Sequence, residues 1–437
     1  MNTIKRLHRL TGEDSSEQKK SSRADEISEL RRRIEAITSR RTASSYTYKT
    51  VYTRQYDAVS LKDMMLGEEI QNACGKFFIS DGYSSGTSKH GSRRIGEISS
   101  LDMNAVALLA NNPDMAFLNC TDALFLDTET TGLTGGTGTF AFLIGLGWFE
   151  NDTFCTKQIF ARDFSEERAS LSFLLDLAGE KRFIVSYNGK AFDVGLLSTR
   201  FILNRLQDTL ANMPHLDLLH PARRLLGHRL ENNRLITIEK EILGVHRQGD
   251  IPGSEIPQRY FDWLRKRDAR LLTDVFEHNR LDIISMATLS VHLAEMLNYD
   301  RDISSCEHED LLASAKLLLV RGDASGARKI LELIIESKGL HIALEARKTL
   351  SLIYKRSGRW NDALRIWEMM LRDDPGNFFA TEEMAKCFEH RKHDLPKAIN
   401  IVTHALNLSS FKSISEKNAL EHRITRLKSR IVTTGSE

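Results

Sequence analysis

The feature that most narrows what this chain can fold into is the run Ala123-Leu124-Phe125-Leu126-Asp127-Thr128-Glu129-Thr130-Thr131-Gly132. Apolar residues lead into two carboxylates spaced two apart, and a Thr/Gly turn follows. Because side chains alternate along a strand, the pattern predicts a buried strand whose end carries Asp127 and Glu129 on one face with Thr128 turned away. Two carboxylates held side by side repel, and a divalent cation relieves the repulsion. A solvated strand end is the competing reading of the same residues.

A chain of 437 residues is long enough for two or three domains. With 41% hydrophobic and 27% charged residues it has the composition of a globular protein, not of a disordered or membrane one. The longest apolar stretch, 140–149, contains two glycines and is too short to cross a bilayer. The charged N-terminus has no apolar core of a signal peptide, so a cytoplasmic location without membrane attachment is expected. The five cysteines form no C-x-x-C pair, which speaks against a zinc ribbon or a disulfide framework. Net charge is only +2, so any basic surface must be local.

Residues 1–50 hold twelve Lys/Arg against seven Asp/Glu among many Ser and Thr, and are expected to be a largely disordered basic tail. Residues 51–120 read as an N-terminal extension packed on the next domain, with 80–96 as an exposed Ser/Gly-rich loop. Between 121 and 297 strands alternate with helices. Segments 124–127, 183–187 and 215–219 read as strands, 141–150 and 153–161 as a hairpin across Asn151-Asp152, and 165–177, 192–203 and 271–297 as helices. This order predicts an α/β domain with a mixed sheet covered by helices. From 301 to 437 the pattern changes to helix pairs, in which Ala327, Ala363 and Ala398 recur at intervals of 36 and 35. That repeat resembles tetratricopeptide units, which implies an all-α helical repeat domain able to bind a protein partner.

Two further acidic positions stand at informative places. Asp193 closes Asn188-Gly189-Lys190-Ala191-Phe192-Asp193 at a strand-to-helix junction, and Asp282 lies four residues after His278 on the helix of 271–297, so the two share a face. Singly, an Asp in the place of Asp193 is usually a helix cap and a pair such as His278/Asp282 usually a surface contact. Together, one strand and two helices can converge four carboxylates and an imidazole on one site.

In order and type, Asp127 and Glu129, then Asn188 with Phe192-Asp193, then His278 with Asp282 resemble the three motifs of the DEDD 3'-5' exonucleases of the ribonuclease-H-like superfamily. The runs LFLDTETTGLTGGTGTFAFLIGLGW at 124–148, HLDLLHPARR at 215–224 and DIPGSEIP at 250–257 resemble the bacterial YprB-type branch, over roughly residues 90–297. One departure is the spacing of His278 from Asp282, which in the superfamily usually accompanies tyrosine.

The resemblance implies a ribonuclease-H-like mixed sheet and phosphodiester hydrolysis in DNA or RNA. It also implies two divalent ions, Mg²⁺ or Mn²⁺, about 4 Å apart. Asp127 is then expected to bridge both ions, with Glu129 and Asp282 on the nucleophile side, Asp193 on the second ion, and His278 taking the proton of the attacking water. Thr130, Thr131 and Gly132 are expected near the terminal nucleotide or as a tight turn, Asn188 as substrate contact or helix cap, and Lys190 near the phosphate backbone. The alternatives are a structure-specific or internally cutting nuclease of the same fold, and a non-catalytic nucleic-acid-binding scaffold acting through its repeats.

Overall fold

The computed structural model describes residues 58–132, 138–299, 306–337, 339–408 and 413–434. The basic tail expected over 1–50 lies outside the described residues. Seven strands form one sheet: β1 (Gly67–Asn72), β2 (Gly75–Ser85), β3 (Ala123–Thr130), β4 (Ala141–Glu150), β5 (Thr153–Phe160), β6 (Phe183–Ser186) and β7 (His215–Asp217). Their spatial order is β1-β2-β5-β4-β3-β6-β7. Pairing is antiparallel from β1 through β3 and parallel from β3 to β6 and β7, as a mixed sheet requires. The β4–β5 hairpin turns on Asn151 and Asp152, both left-handed with φ of 47° and 57°, the conformation that a two-residue turn between twisted strands favours.

Residues 80–85 differ from the expected loop. They continue β2 and pair with β5 in the register Ser80↔Gln158, Gly82↔Thr156 and Ser84↔Phe154. Ladder bonds come from the backbone, so a half-exposed strand does not need the apolar residues by which strands are recognised.

Helices cover both faces: α1 (Met103–Ala110), α2 (Glu167–Ala178), α3 (Asp193–Leu203), α4 (Leu219–Leu226), α5 (Ile256–Lys266) and α6 (Thr273–Met296). Leu124, Leu126 and Ile184 pack with Leu174 of α2 and with Leu197 and Phe201 of α3. Phe125 and Val185 face the other way, into the cluster that contains Ile283 and Met286 of α6. On α5, Tyr260 stacks on Phe142 of β4 with ring centroids 4.1 Å apart.

Two glycines of β4 let α6 lie close on the sheet. A Cβ at Gly145 would stand 2.2 Å from Oδ1 of Asn279, and one at Gly147 would stand 2.4 Å from Cγ2 of Ile283. Gly145 is the register partner of Asp127. The site and the helix packing are therefore fixed at the same place.

Beyond α6 the chain is helical: α7 (His308–Val320), α8 (Ala324–Ile334), α9 (Leu340–Arg356), α10 (Trp360–Asp373), α11 (Phe378–His390), α12 (Leu395–Asn407) and α13 (Ile414–Thr434). Ala327, Ala363 and Ala398 fall on α8, α10 and α12, the second helix of three successive pairs, and all are fully buried. The turns within the first two pairs use Gly322 and Gly358 at positive φ, whereas the third uses His393 with φ of 52°. Leu225 of α4, Leu293 of α6 and Leu311 and Leu318 of α7 belong to one apolar cluster, so the helical region continues the core of the sheet region. Among the described residues, no helix is long and apolar enough to cross a membrane.

Replacing Gly145 by Ala should force α6 off β4. We expect a loss on the order of 1–3 kcal/mol in denaturant unfolding, with no such loss for Ala at the exposed, uncrowded Gly195. Equal stability of the two variants would contradict the close-approach account.

Candidate active site

The apolar half of β3 is buried and its second half, Asp127 to Thr130, is partly open, so the sheet carries carboxylates to its own rim. Pairing with β4 shifts register between Glu129 and Thr130, which ends the strand at that point. Beyond it, Oγ1 of Thr130 donates to the carbonyl of Gly132 at 2.8 Å, and Oγ1 of Thr131 accepts from the Phe140 amide at 3.0 Å. The Thr131 amide is itself bound to the Phe140 carbonyl. Both hydroxyls thus build the turn.

On the α6 side, Nδ2 of Asn279 donates to Oδ2 of Asp127 at 2.8 Å. Gln158 Nε2 donates to Oδ1 of Asn279 at 2.9 Å and to the Phe276 carbonyl at 2.7 Å, which fixes the amide orientation. Asn279 is absent from the set of site residues expected from the sequence. Its signal was a weak helix former in the middle of a long helix, one residue from His278.

Asp193, the first residue of α3, reaches the strand end from the opposite face. Its Oδ1 accepts from Oγ1 of Thr128 at 2.5 Å, the side chain that alternation turns away from Asp127 and Glu129. Asn188 has φ of 66° and does not cap α3, where the Val194 amide bonds to the Gly189 carbonyl. Instead the turn after β6 is pinned by Asp217, whose carboxylate accepts from the amides of Asn188 at 2.8 Å, Lys190 at 3.1 Å and Leu219 at 3.1 Å. The Lys190 side chain is exposed.

The third element supplies the imidazole. Nε2 of His278 stands 3.8 Å from Oδ2 of Asp282, as the helical spacing predicts. Two residues absent from the expected set meet them there. Asp250 Oδ1 lies 2.7 Å from Nδ1 of His278, and the Arg247 guanidinium bonds to Glu239, Asp250 and Asp282. Arg247 and Glu239 are almost wholly buried, at 3% and 0% side-chain exposure.

Burial dominates the electrostatics of Asp127, Glu129, Asp193 and Asp282 and pushes these four carboxylates toward the protonated form. Asp127 is held well above the usual carboxylate range by burial and then by the charges of Asp282 and Asp193, against the bond from Asn279. Glu129 is raised likewise by burial, then by Asp127, Asp282 and Asp193. Asp193 rises to about 6 through burial, opposed by the Thr128 bond. Asp282 is raised by burial even though Arg247 and His278 pull it down. The structure thus gathers Asp127, Glu129, Asp282 and His278 against α6 and leaves Asp193 on the other face, within electrostatic reach.

Among the described residues, no three His, Cys, Asp or Glu side chains stand close enough together to hold a metal ion as placed. Asp193 is engaged by Thr128 and Asp282 by Arg247. The donor chemistry nonetheless fits a divalent cation. Four half-buried, mutually repelling carboxylates without a thiol are hard oxygen donors of the kind that suits Mg²⁺ or Mn²⁺.

A family model described as RNase_H superfamily matches residues 124–294. An uncharacterized protein YprB of Bacillus subtilis (strain 168) is 35% identical over 316 residues, 71% of this chain and 75% of that protein. The chain belongs to the YprB family. Within this YprB-family chain, the superfamily domain spans all of Asp127, Glu129, Asp193, Glu239, Arg247, Asp250, His278 and Asp282, and a helical region follows it. At greater distance, the family B DNA polymerase of the hyperthermophilic archaeon Pyrobaculum calidifontis aligns with 46% of this chain and 29% of its own length, at 16% identity and a TM-score of 0.32.

The raised carboxylates set a pH dependence. The unfolded chain loses these protons above about pH 4, whereas Asp193 in the fold keeps its proton until about pH 6. Stability from this source is therefore full below pH 4, falls between those values and stays lost above them. In EDTA, we expect a melting temperature lower near pH 7 than near pH 5 by ~5 °C, with Asp127→Asn reducing the difference. Mg²⁺ or Mn²⁺ should raise it near pH 7 and much less near pH 5. A melting temperature indifferent to pH and to both ions would contradict the assignment.

Proposed function

We propose that this chain is a metal-dependent nuclease of the DEDD type that removes nucleotides from the 3' end of DNA or RNA. The observation that carries the reading is a half-buried, mutually repelling carboxylate cluster at the rim of a sheet, with an imidazole beside it. Asp127, Glu129, Asp193 and Asp282 are the ligands for two divalent ions, Mg²⁺ or Mn²⁺. When bound, such ions offset the negative charge of a phosphodiester and make hydroxide available near neutral pH.

The chain's own residues do the rest. His278 takes the proton of the attacking water at Nε2, the ring nitrogen on the side of Asp282. Asn279 and Gln158 fix the Asp127 carboxylate, and Asp193, now bound by Thr128, would have to leave that hydroxyl to serve as a ligand. Thr130, Thr131 and Gly132 shape the rim over which the terminal nucleotide passes. Asn188 sets the left-handed turn that presents Lys190, whose exposed ammonium meets the phosphate backbone. We assign the nuclease to residues 121–297, preceded by the extension of 51–120, and read the paired helices of 301–437 as tetratricopeptide-like repeats that recruit a protein partner. The recurrence of Ala327, Ala363 and Ala398 at one place in three pairs supports that last reading.

Single strands of DNA and RNA labelled at either end, incubated with Mg²⁺ or Mn²⁺, test the proposal. Mononucleotides should leave stepwise from the 3' end, and Asp127→Ala should slow hydrolysis roughly a thousandfold while the chain stays folded. Internal fragments alone would replace this reading with an internally cutting nuclease. Binding without hydrolysis would replace it with a scaffold.

A further inference from the structure

The segment that leads from Glu239 to Asp250 has no part in the reading above, yet it brings a buried cation against α6. A π-helical turn, Glu239–Leu243, ends at Gly244 with φ of 69°, where the Val245 amide bonds back to the Glu239 carbonyl. The reversal returns Arg247 over the Glu239 side chain. Nε and Nη2 of Arg247 grip both oxygens of that carboxylate in a fork. The second hydrogen of Nη2 goes to Oδ1 of Asp282, and Nη1 donates to Oδ2 of Asp250 at 3.2 Å.

The other Asp250 oxygen, Oδ1, lies 2.7 Å from Nδ1 of His278. Since Asp250 faces a guanidinium on one side, it meets the ring as an acceptor, so the hydrogen of that bond sits on Nδ1. Arg247 Nη1 also approaches Nδ1, at 3.4 Å, but two donors cannot bond each other and the shorter contact decides. The lone pair of the neutral ring is then on Nε2, the nitrogen 3.8 Å from Oδ2 of Asp282.

We infer that Arg247 and Asp250 are positioning residues for His278. Arg247, seated on Glu239, fixes the Asp250 carboxylate, which in turn locks the imidazole as its Nδ1–H tautomer with Nε2 turned toward Asp282. What Nε2 then does rests on the nuclease reading; the tautomer does not. Asp250 is not itself a metal ligand on this account, because its oxygens are already committed to Arg247 and His278.

The test uses the full chain labelled with ¹⁵N-histidine, in EDTA at about pH 8, where long-range proton–nitrogen correlation spectra distinguish the two neutral tautomers. His278→Gln identifies the signals of residue 278. Wild-type protein should show the Nδ1–H form, and Asp250→Ala should convert it largely to Nε2–H. Mn²⁺ affinity measured by calorimetry without nucleic acid should stay within about twofold of wild type. If the chain hydrolyses nucleic acid, kcat should fall about 10–100-fold in Asp250→Ala with KM little changed, and Asp250→Asn, whose amide oxygen still accepts, should recover part of the loss. Arg247→Lys, which keeps the charge but not the fork, should give a mixture of tautomers. An Nε2–H ring in the wild type, an unchanged Nδ1–H signal in Asp250→Ala, or a tenfold loss of Mn²⁺ affinity in that variant would overturn the inference. Because the wild-type spectrum needs no activity, a failed nuclease assay leaves this test decisive.

Discussion

Placing carboxylates together where water is scarce costs more than any single bond around them returns, and the architecture of the sheet rim is organised by that cost. Glu239, Asp250 and Asp282 share the guanidinium of Arg247, while Asp127 and Asp193 are offered only the neutral hydrogen bonds of Asn279 and Thr128. Neutral donors soften repulsion but do not cancel it. Asp127, Glu129, Asp193 and Asp282 respond by holding protons more tightly than in water. Such a cluster is under tension until more positive charge arrives.

The fold supplies the tension deliberately, in the sense that each carboxylate is held by a rigid element. β3 is the register neighbour of β4 at Asp127↔Gly145, and the missing side chain at Gly145 is what admits Asn279. α6 then carries His278 and Asp282 on the face that Asn279 anchors. α3 begins at Asp193, after a turn that Asp217 holds through three backbone amides. A site mounted on strands and helices in this way keeps its geometry better than one mounted on loops. The exception is the stretch from Gly244 to Asp250, which is irregular and is tied down by ion pairs.

Local signals make much of this legible in the sequence. Alternation placed Asp127 and Glu129 on one face, Asn151-Asp152 marked the hairpin, and helical spacing paired His278 with Asp282. The recurring alanines fall on the second helix of each of three pairs, where all of them are fully buried. What escaped was set by tertiary context. Ser80 to Ser85 join the sheet through backbone bonds that leave no apolar pattern. Asp250 sits in a Pro/Gly segment that reads as turn chemistry, and Arg247 and Glu239 look like ordinary surface charges until the fold buries them against each other. Asp193 was expected to converge on one site with Asp127, and no periodicity reveals that α3 approaches from the other face of the strand to meet Thr128.

The account stands on the claim that the unrelieved charge at the end of β3 is a divalent-cation site. Diffraction from crystals of the full chain soaked in Mn²⁺, recorded where manganese scatters anomalously, tests it most directly. The account predicts anomalous density against the Asp127 carboxylate, with Asp193 released from Thr128. Density elsewhere only, with Asp127 still bound to Asn279 alone, would contradict it.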